Sequence, residues 1–149
     1  MDYIQKNKIE KVYFKTLYFG LFLNVFIPAI LILVGLFLKS KGVGKNPISS
    51  IDIVLYILLA ASIIEIFFIF FFKKYFFSKV EPDENSFLQM NLVVFSLALS
   101  PTIYGFVYFI LGGELRWFLA FAVITLLCFR IFKPNLEKTE ELFEKATRI

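Results

Sequence analysis

Four apolar runs, at 16–38, 51–72, 87–111 and 115–132, are separated by short stretches that carry most of the charge. Each run is near the ~20 residues that a helix needs to cross ~30 Å of hydrocarbon. Strands would leave unsatisfied edge groups in lipid, and four such runs are too few and too long for a closed barrel. The pattern therefore predicts an all-α fold: a four-helix transmembrane bundle of two antiparallel hairpins. Short interfacial helices are expected at both ends. Residues 1–15 read as an amphipathic segment with Ile4, Ile9, Val12 and Tyr13 on one broad face. Residues 133–149 read as a cytoplasmic helical tail, reset by Pro134 and Asn135.

Within the tail, Glu137, Glu140 and Glu141 come early and Lys145 and Arg148 late, as the helix dipole favours. Glu141 with Lys145 and Glu144 with Arg148 have the favourable i,i+4 order. Leu142, Phe143, Ala146 and Ile149 make only a weak apolar stripe. A self-standing surface helix is expected, one whose removal leaves the bundle folded.

Lysine and arginine sort to one side. Lys6, Lys8, Lys11 and Lys15 precede the first run, Lys73, Lys74 and Lys79 follow the second, and Arg130, Lys133, Lys138, Lys145 and Arg148 close the chain. On the other side lie only Lys39, Lys41, Lys45 and Arg116. The positive-inside rule then puts both termini of a multi-pass cell-membrane protein in the cytoplasm. Tyr13, Phe14, Tyr18 and Phe19, with Tyr75, Phe76 and Phe77, mark the same headgroup level. The first run follows lysines as a signal peptide would, but it is too long and no small-residue cleavage site follows, so an uncleaved span is expected.

Composition agrees. The chain is 59% hydrophobic, above the roughly 45–50% of an average soluble domain. Its net charge of +4 follows from the basic rim and implies membrane lipids, not nucleic acid, as the partner. Cys128 is the only cysteine and there is no histidine, which excludes an intrachain disulfide, Cys/His metal sites and histidine base catalysis. No phosphate-binding glycine loop or paired catalytic acids occur, and no cofactor is implied. Glu81, Asp83 and Glu84, beside Pro82, read as solvated loop charge, with Asn85 or Ser86 capping the third helix.

The sharpest chemical signal is Glu65, an ionisable group roughly 12 Å inside the second run by helical rise. Such a group usually has a partner or a role. Counting inward on the other runs brings Asn24, Ser96 and Thr125 to a similar depth, which makes a candidate polar layer with Ser100 and, by a downward reach, Arg130. Gly20, Asn24 and Pro28 share a face, with Gly35 further along it. Gln89, Ser96, Ser100, Tyr104 and Tyr108 form a polar stripe on the third run beside a small-residue strip of Asn91, Ala98, Thr102 and Gly105; Ala61 and Ser62 would allow close approach on the second. The competing reading is that the serines and threonines bond their own backbone at i−4, Asn24 glues helices together and Arg130 snorkels to headgroups. Pro28 and Pro101, each inside a run, predict helix kinks.

The stretch LALSPTIYGFV at 97–107 resembles the carboxylate-bearing helix of rotary ATPase proteolipid subunits, in which small and apolar residues around an acid precede a Tyr-Gly step. Two tandem hairpins are similar to the duplicated V-type proteolipids. That resemblance implies an ion-carrying membrane rotor. In the best register Leu99 stands where the family has its acid, and the first run lacks the dense glycine repeat. The function expected from the residues is a non-enzymatic subunit or accessory factor of a membrane assembly, associated with other subunits or with itself. The alternative is an oligomeric proton- or ion-coupled transporter or channel that uses Glu65.

Overall fold

The computed structural model describes residues 3–79 and 83–147. Glu81 and Pro82 of the acidic loop, and Arg148 and Ile149 of the tail, lie outside the described residues, as do the side chains of Phe77, Lys79 and Ala146. The elements are α1 (Tyr3–Leu21), a π-helical turn (Phe22–Phe26), α2 (Ile27–Ser40), α3 (Ile51–Lys79), α4 (Glu84–Ile110), α5 (Leu115–Phe132) and α6 (Leu136–Thr147). The described chain is helical without strands, and four helices are long and apolar enough to cross a membrane.

The first of these runs from Tyr3 to Ser40 without a break. Residues 3–15 are therefore its opening turns, not a separate interfacial helix: nothing between Lys15 and Thr16 stops a helix, and Lys6, Lys8, Lys11 and Lys15 are good helix formers. At ~1.5 Å per residue this helix is roughly 57 Å long, well beyond the ~30 Å of a hydrocarbon core. Helix α3 likewise continues past Phe72 to Lys79. Helix α4 begins earlier than expected, at Glu84, because Asp83 is its cap: the Asp83 carboxylate accepts the Glu84 N–H at 2.8 Å.

The π turn has an identifiable cause. Pro28 has no N–H, and its ring would crowd the carbonyl of Asn24. The chain widens there, and the Ile27 N–H reaches back five residues to the Phe22 carbonyl. The register gains from this. Buried Thr16, Gly20, Asn24 and Pro28 recur every four residues; three such steps drift roughly 120° around an α-helix, and the extra residue of a π turn removes about 100° of it. The four thus stay on one face, with Gly35 also buried.

Helix α4 is the hub. It packs most extensively on α5, then on α3, and also on α1, the π turn and α2. Consecutive α2 and α3 share no substantial contact among the described residues, since both lean on α4 instead. The small strip Asn91, Ala98, Thr102 and Gly105 is buried. Two clusters fill the seams, one of Ile69, Val94, Ala98, Cys128 and Phe132 and the other of Leu55, Tyr108 and Phe121. Phe67, Phe68, Phe70 and Phe71 on α3 are all more than half exposed, as expected of rings that face lipid.

The two ends of the bundle are built differently. At one end both α2 and α4 stop in the same way: Gly42 (φ +87°) and Gly112 (φ +99°) take the left-handed conformation. Val43 N–H then bonds the Leu38 carbonyl at 3.1 Å and Gly113 N–H the Tyr108 carbonyl at 3.0 Å, closing a Schellman motif at each helix end. The 41–50 connection crosses the α4–α5 turn there, with Ile48 N–H on the Leu111 carbonyl at 3.3 Å. A Cβ on Gly112 would come within 2.4 Å of the Pro47 Cα. At the other end, the start of α1, the start of α4 and α6 meet.

Helix α6 is not self-standing. It packs along α1; Phe143 meets the ring of fully buried Phe87 edge-on at 5.8 Å, and Thr139 is buried with its hydroxyl on the Asn135 carbonyl at 2.7 Å. Asn135 caps α6 by accepting the Glu137 N–H at 3.1 Å. The weak stripe helps to close the end of the bundle by laying Phe143 against Phe87.

Deleting residues 134–149 is accordingly expected to lower the stability of the bundle in mild detergent by about 1–3 kcal/mol, the value of one buried aromatic side chain. Thermal unfolding followed by helical circular dichroism reads this. An unchanged transition would restore α6 to an independent surface helix.

Candidate functional site

Glu65 sits on α3 one turn after Ser62, at the seam with α4. Its Oε1 accepts a hydrogen bond from the Tyr104 hydroxyl. Tyr104 lies one helical turn beyond Ser100, whose hydroxyl stays on its own helix. Glu65 is half-buried, and its Oε2 is enclosed without a donor among the described residues. A carboxylate offers only acceptors, whereas a carboxylic acid also carries one hydrogen. Oε2 is thus the atom that could hold a proton or accept from a neighbouring chain.

The other members of the expected layer are not brought to Glu65. Asn24 donates from Nδ2 to its own Gly20 carbonyl at 3.2 Å, and Ser96 donates to the Leu92 carbonyl at 2.8 Å on an exposed face. Ser62, Thr16 and Asn91 bond back four residues in the same way. This is the self-satisfying habit of short polar side chains in helices. Ser100 follows the same habit, donating to the Ser96 carbonyl at 3.4 Å.

Thr125 bonds the residue that follows Pro101. Helix α4 runs on through this proline, and the next residue, Thr102, directs both its N–H (3.2 Å) and its hydroxyl (2.8 Å) at the Thr125 Oγ1 on α5. A count of depth along the helices does not tell which side of α4 Thr125 faces. It faces the α5 seam, and Glu65 faces the α3 seam.

Arg130 is exposed and belongs to a different place. It lines a cavity of about 880 Å³ at the end of the bundle roofed by α6. Lys73 lines it too, eight residues and roughly 12 Å along α3 from Glu65. Lys74, Lys133, Lys138 and Lys145 complete a basic lining, in which Glu141 is the only carboxylate among the described residues. Lys73 donates to the Phe132 carbonyl at 2.7 Å, tying the end of α3 to the C-terminus of α5.

Two features of the structure escaped the residue pattern. Tyr104 was visible as part of a stripe, but its partnership with Glu65 needs the packing of α3 on α4. The cavity was visible only as a basic rim, because its shape depends on α6 folding back. Nothing matches this chain among protein-family models, curated proteins or solved structures.

The Glu65–Tyr104 pair makes an asymmetric expectation. Glu65→Gln keeps an oxygen for the phenol and is expected to unfold near the wild-type temperature. Tyr104→Phe leaves the carboxyl without its donor and is expected to lose about 1–3 kcal/mol, most of which returns in the Glu65→Leu/Tyr104→Phe double variant, where neither polar partner remains. Thermal melts in one detergent read all three. Wild-type stability for Tyr104→Phe would mean that the bond does nothing for the fold.

Proposed function

We propose that the chain is an integral membrane protein that acts as a non-enzymatic subunit or accessory factor of a membrane assembly. The observation that carries the assembly role is the flank of Glu65. A half-buried carboxyl at this depth, with one oxygen lacking a donor, is costly next to lipid. A partner helix laid along the α3–α4 seam would cover it and supply the donor. The large apolar surface left by α3, including Ile64 and Phe68, suits such a neighbour or lipid chains.

Orientation follows the same logic. With the basic cavity, the start of α1 and α6 at one end and the two glycine-capped turns at the other, the spans alternate as antiparallel neighbours and both termini face the cytoplasm. Helix α6 and the first turns of α1 then lie at the cytoplasmic headgroup level.

A second reading, an oligomeric proton- or ion-coupled transporter or channel, is favoured by the Glu65–Tyr104 bond itself. It holds one carboxyl oxygen and leaves the other for a proton. The tyrosine of the proteolipid-like stretch is the residue that touches the acid, which suits this reading.

Purification in mild detergent is expected to bring down at least one other membrane subunit in fixed ratio, by native mass spectrometry. A clean homo-oligomer whose proton flux in liposomes is abolished by Glu65→Gln would replace the accessory role with the transport reading. For orientation, a cysteine in place of Lys45 is expected to react with an impermeant maleimide on intact cells, and one in place of Lys138 only after lysis. The reverse pattern would overturn it.

A further inference from the structure

The basic cavity has a composition that orientation alone does not require. A topological signal needs only positive charge near the membrane, and lysines spread over solvated loops would supply it. Here cations from four separate elements converge on one space: Lys74 from α3, Arg130 from α5, Lys133 from the connection after it, and Lys138 and Lys145 from α6. Lys138 stands close enough to Lys73 for the two ammoniums to repel. Bringing like charges together costs free energy that an anion between them recovers.

The same space has an apolar side and one unusual polar group. Tyr13, Phe87, Ile131 and Leu142 line it along with the cations. Asn91, fully buried, also lines it. Its Nδ2 is committed to the Phe87 carbonyl at 2.9 Å, so the side chain cannot turn over, and its Oδ1 is buried with no donor among the described residues. An acceptor in the wall of a cavity lined by cations suits a ligand that carries a hydroxyl as well as a negative charge.

We infer that this cavity binds the headgroup of an anionic phospholipid, with the phosphodiester among Lys74, Arg130, Lys133 and Lys138 and a headgroup hydroxyl donating to the Asn91 Oδ1. The phosphate is recognised as a charge by the ammoniums and by the fork of the guanidinium. The apolar lining favours an amphiphile over free phosphate, and about 880 Å³ is within the ~300–1,000 Å³ of ordinary ligand pockets. The inference takes the membrane placement as given and is independent of the assembly role, since it uses no residue of the Glu65 flank.

The full chain in nanodiscs with equal phosphatidylglycerol and phosphatidylcholine tests it, with lipid retained after detergent extraction read by native mass spectrometry. Wild type is expected to retain phosphatidylglycerol selectively. The exposed pair Lys74→Gln/Lys138→Gln is expected to reduce that retention at least fivefold, whereas Lys39→Gln/Lys45→Gln, which removes the same charge at the far end, leaves it unchanged. Asn91→Leu is expected to abolish the preference for phosphatidylglycerol over phosphatidylmethanol, which has the phosphodiester without the hydroxyl. Equal losses for the two lysine pairs, or none for either, would overturn the site. Displacement of the lipid by millimolar inorganic phosphate or glycerol 3-phosphate would overturn the lipid as its ligand in favour of the free anion.

Discussion

The close approach of α4 to its neighbours is the constraint on which the rest depends. Lipid tails are as apolar as leucine, so burying a phenylalanine between helices gains little over leaving it in the bilayer. What holds helices together there is dispersion at short range, and it fades within an ångström of separation. Gly105 lets α5 come so near that a Cβ would stand 2.7 Å from the Phe121 Cβ and 3.1 Å from the Phe118 Cα. Those atoms belong to or adjoin backbone and cannot swing aside. On α1, Gly20 receives the rings of Phe95 from α4 and Phe129 from α5, each 2.7 Å from where its Cβ would be. Bulky rings thus fit into glycine gaps on more than one helix, which is how a chain with 21 phenylalanines still packs tightly.

Proline is the second constraint, because a backbone group freed inside hydrocarbon has no water to turn to. The two intramembrane prolines are handled by different means. Around Pro28 the helix itself changes, widening to a π turn that keeps the buried stripe in line. Around Pro101 the helix stays α, and α5 lends Thr125 as an acceptor for Thr102. The first solution is local; the second couples the backbone of α4 to α5 at the level where Gly105 brings them closest.

Much of this was legible in the sequence, for physical reasons that can be named. The four apolar helices follow from run length, and the buried faces of Gly20, Asn24, Pro28 and Gly35 and of Asn91, Ala98, Thr102 and Gly105 from helical periodicity. Periodicity gives a face but not the partner of that face. The polar layer reads from periodicity as one site, whereas Asn24, Ser96 and Ser100 turn to their own backbone, Thr125 to Thr102, and only Tyr104 to Glu65. Element ends were misjudged for a related reason. The apolar runs break at charges, at Lys15 and Lys73, but the helices continue through both, because lysine propagates helices well and only a cap or breaker stops them. The tail's stripe was too weak to predict docking, because its main partner, Phe87, lies on another helix.

The interior that results is nearly self-sufficient. Thr16 and Ser62 bond to carbonyls of their own helix, and Thr102 bonds Thr125 across the α4–α5 seam, so their hydroxyl hydrogens are already committed inside the bundle or to its backbone, save that of Thr125, for which no acceptor is identified among the described residues. Three buried acceptors remain without donors among the described residues: Asn24 Oδ1, Glu65 Oε2 and Asn91 Oδ1. The last two lie on surfaces something else could reach, Glu65 at a half-buried lateral seam and Asn91 at the wall of the basic cavity. Their directions differ. A group at the α3–α4 seam meets whatever lies beside the protein in the membrane plane, and one at the α6 end meets the headgroup layer, so the proposed neighbour and the inferred lipid would approach along perpendicular axes and need not compete. Asn24 has no such outlet. It is fully buried at the π turn, where its face carries the buried stripe that Pro28 continues.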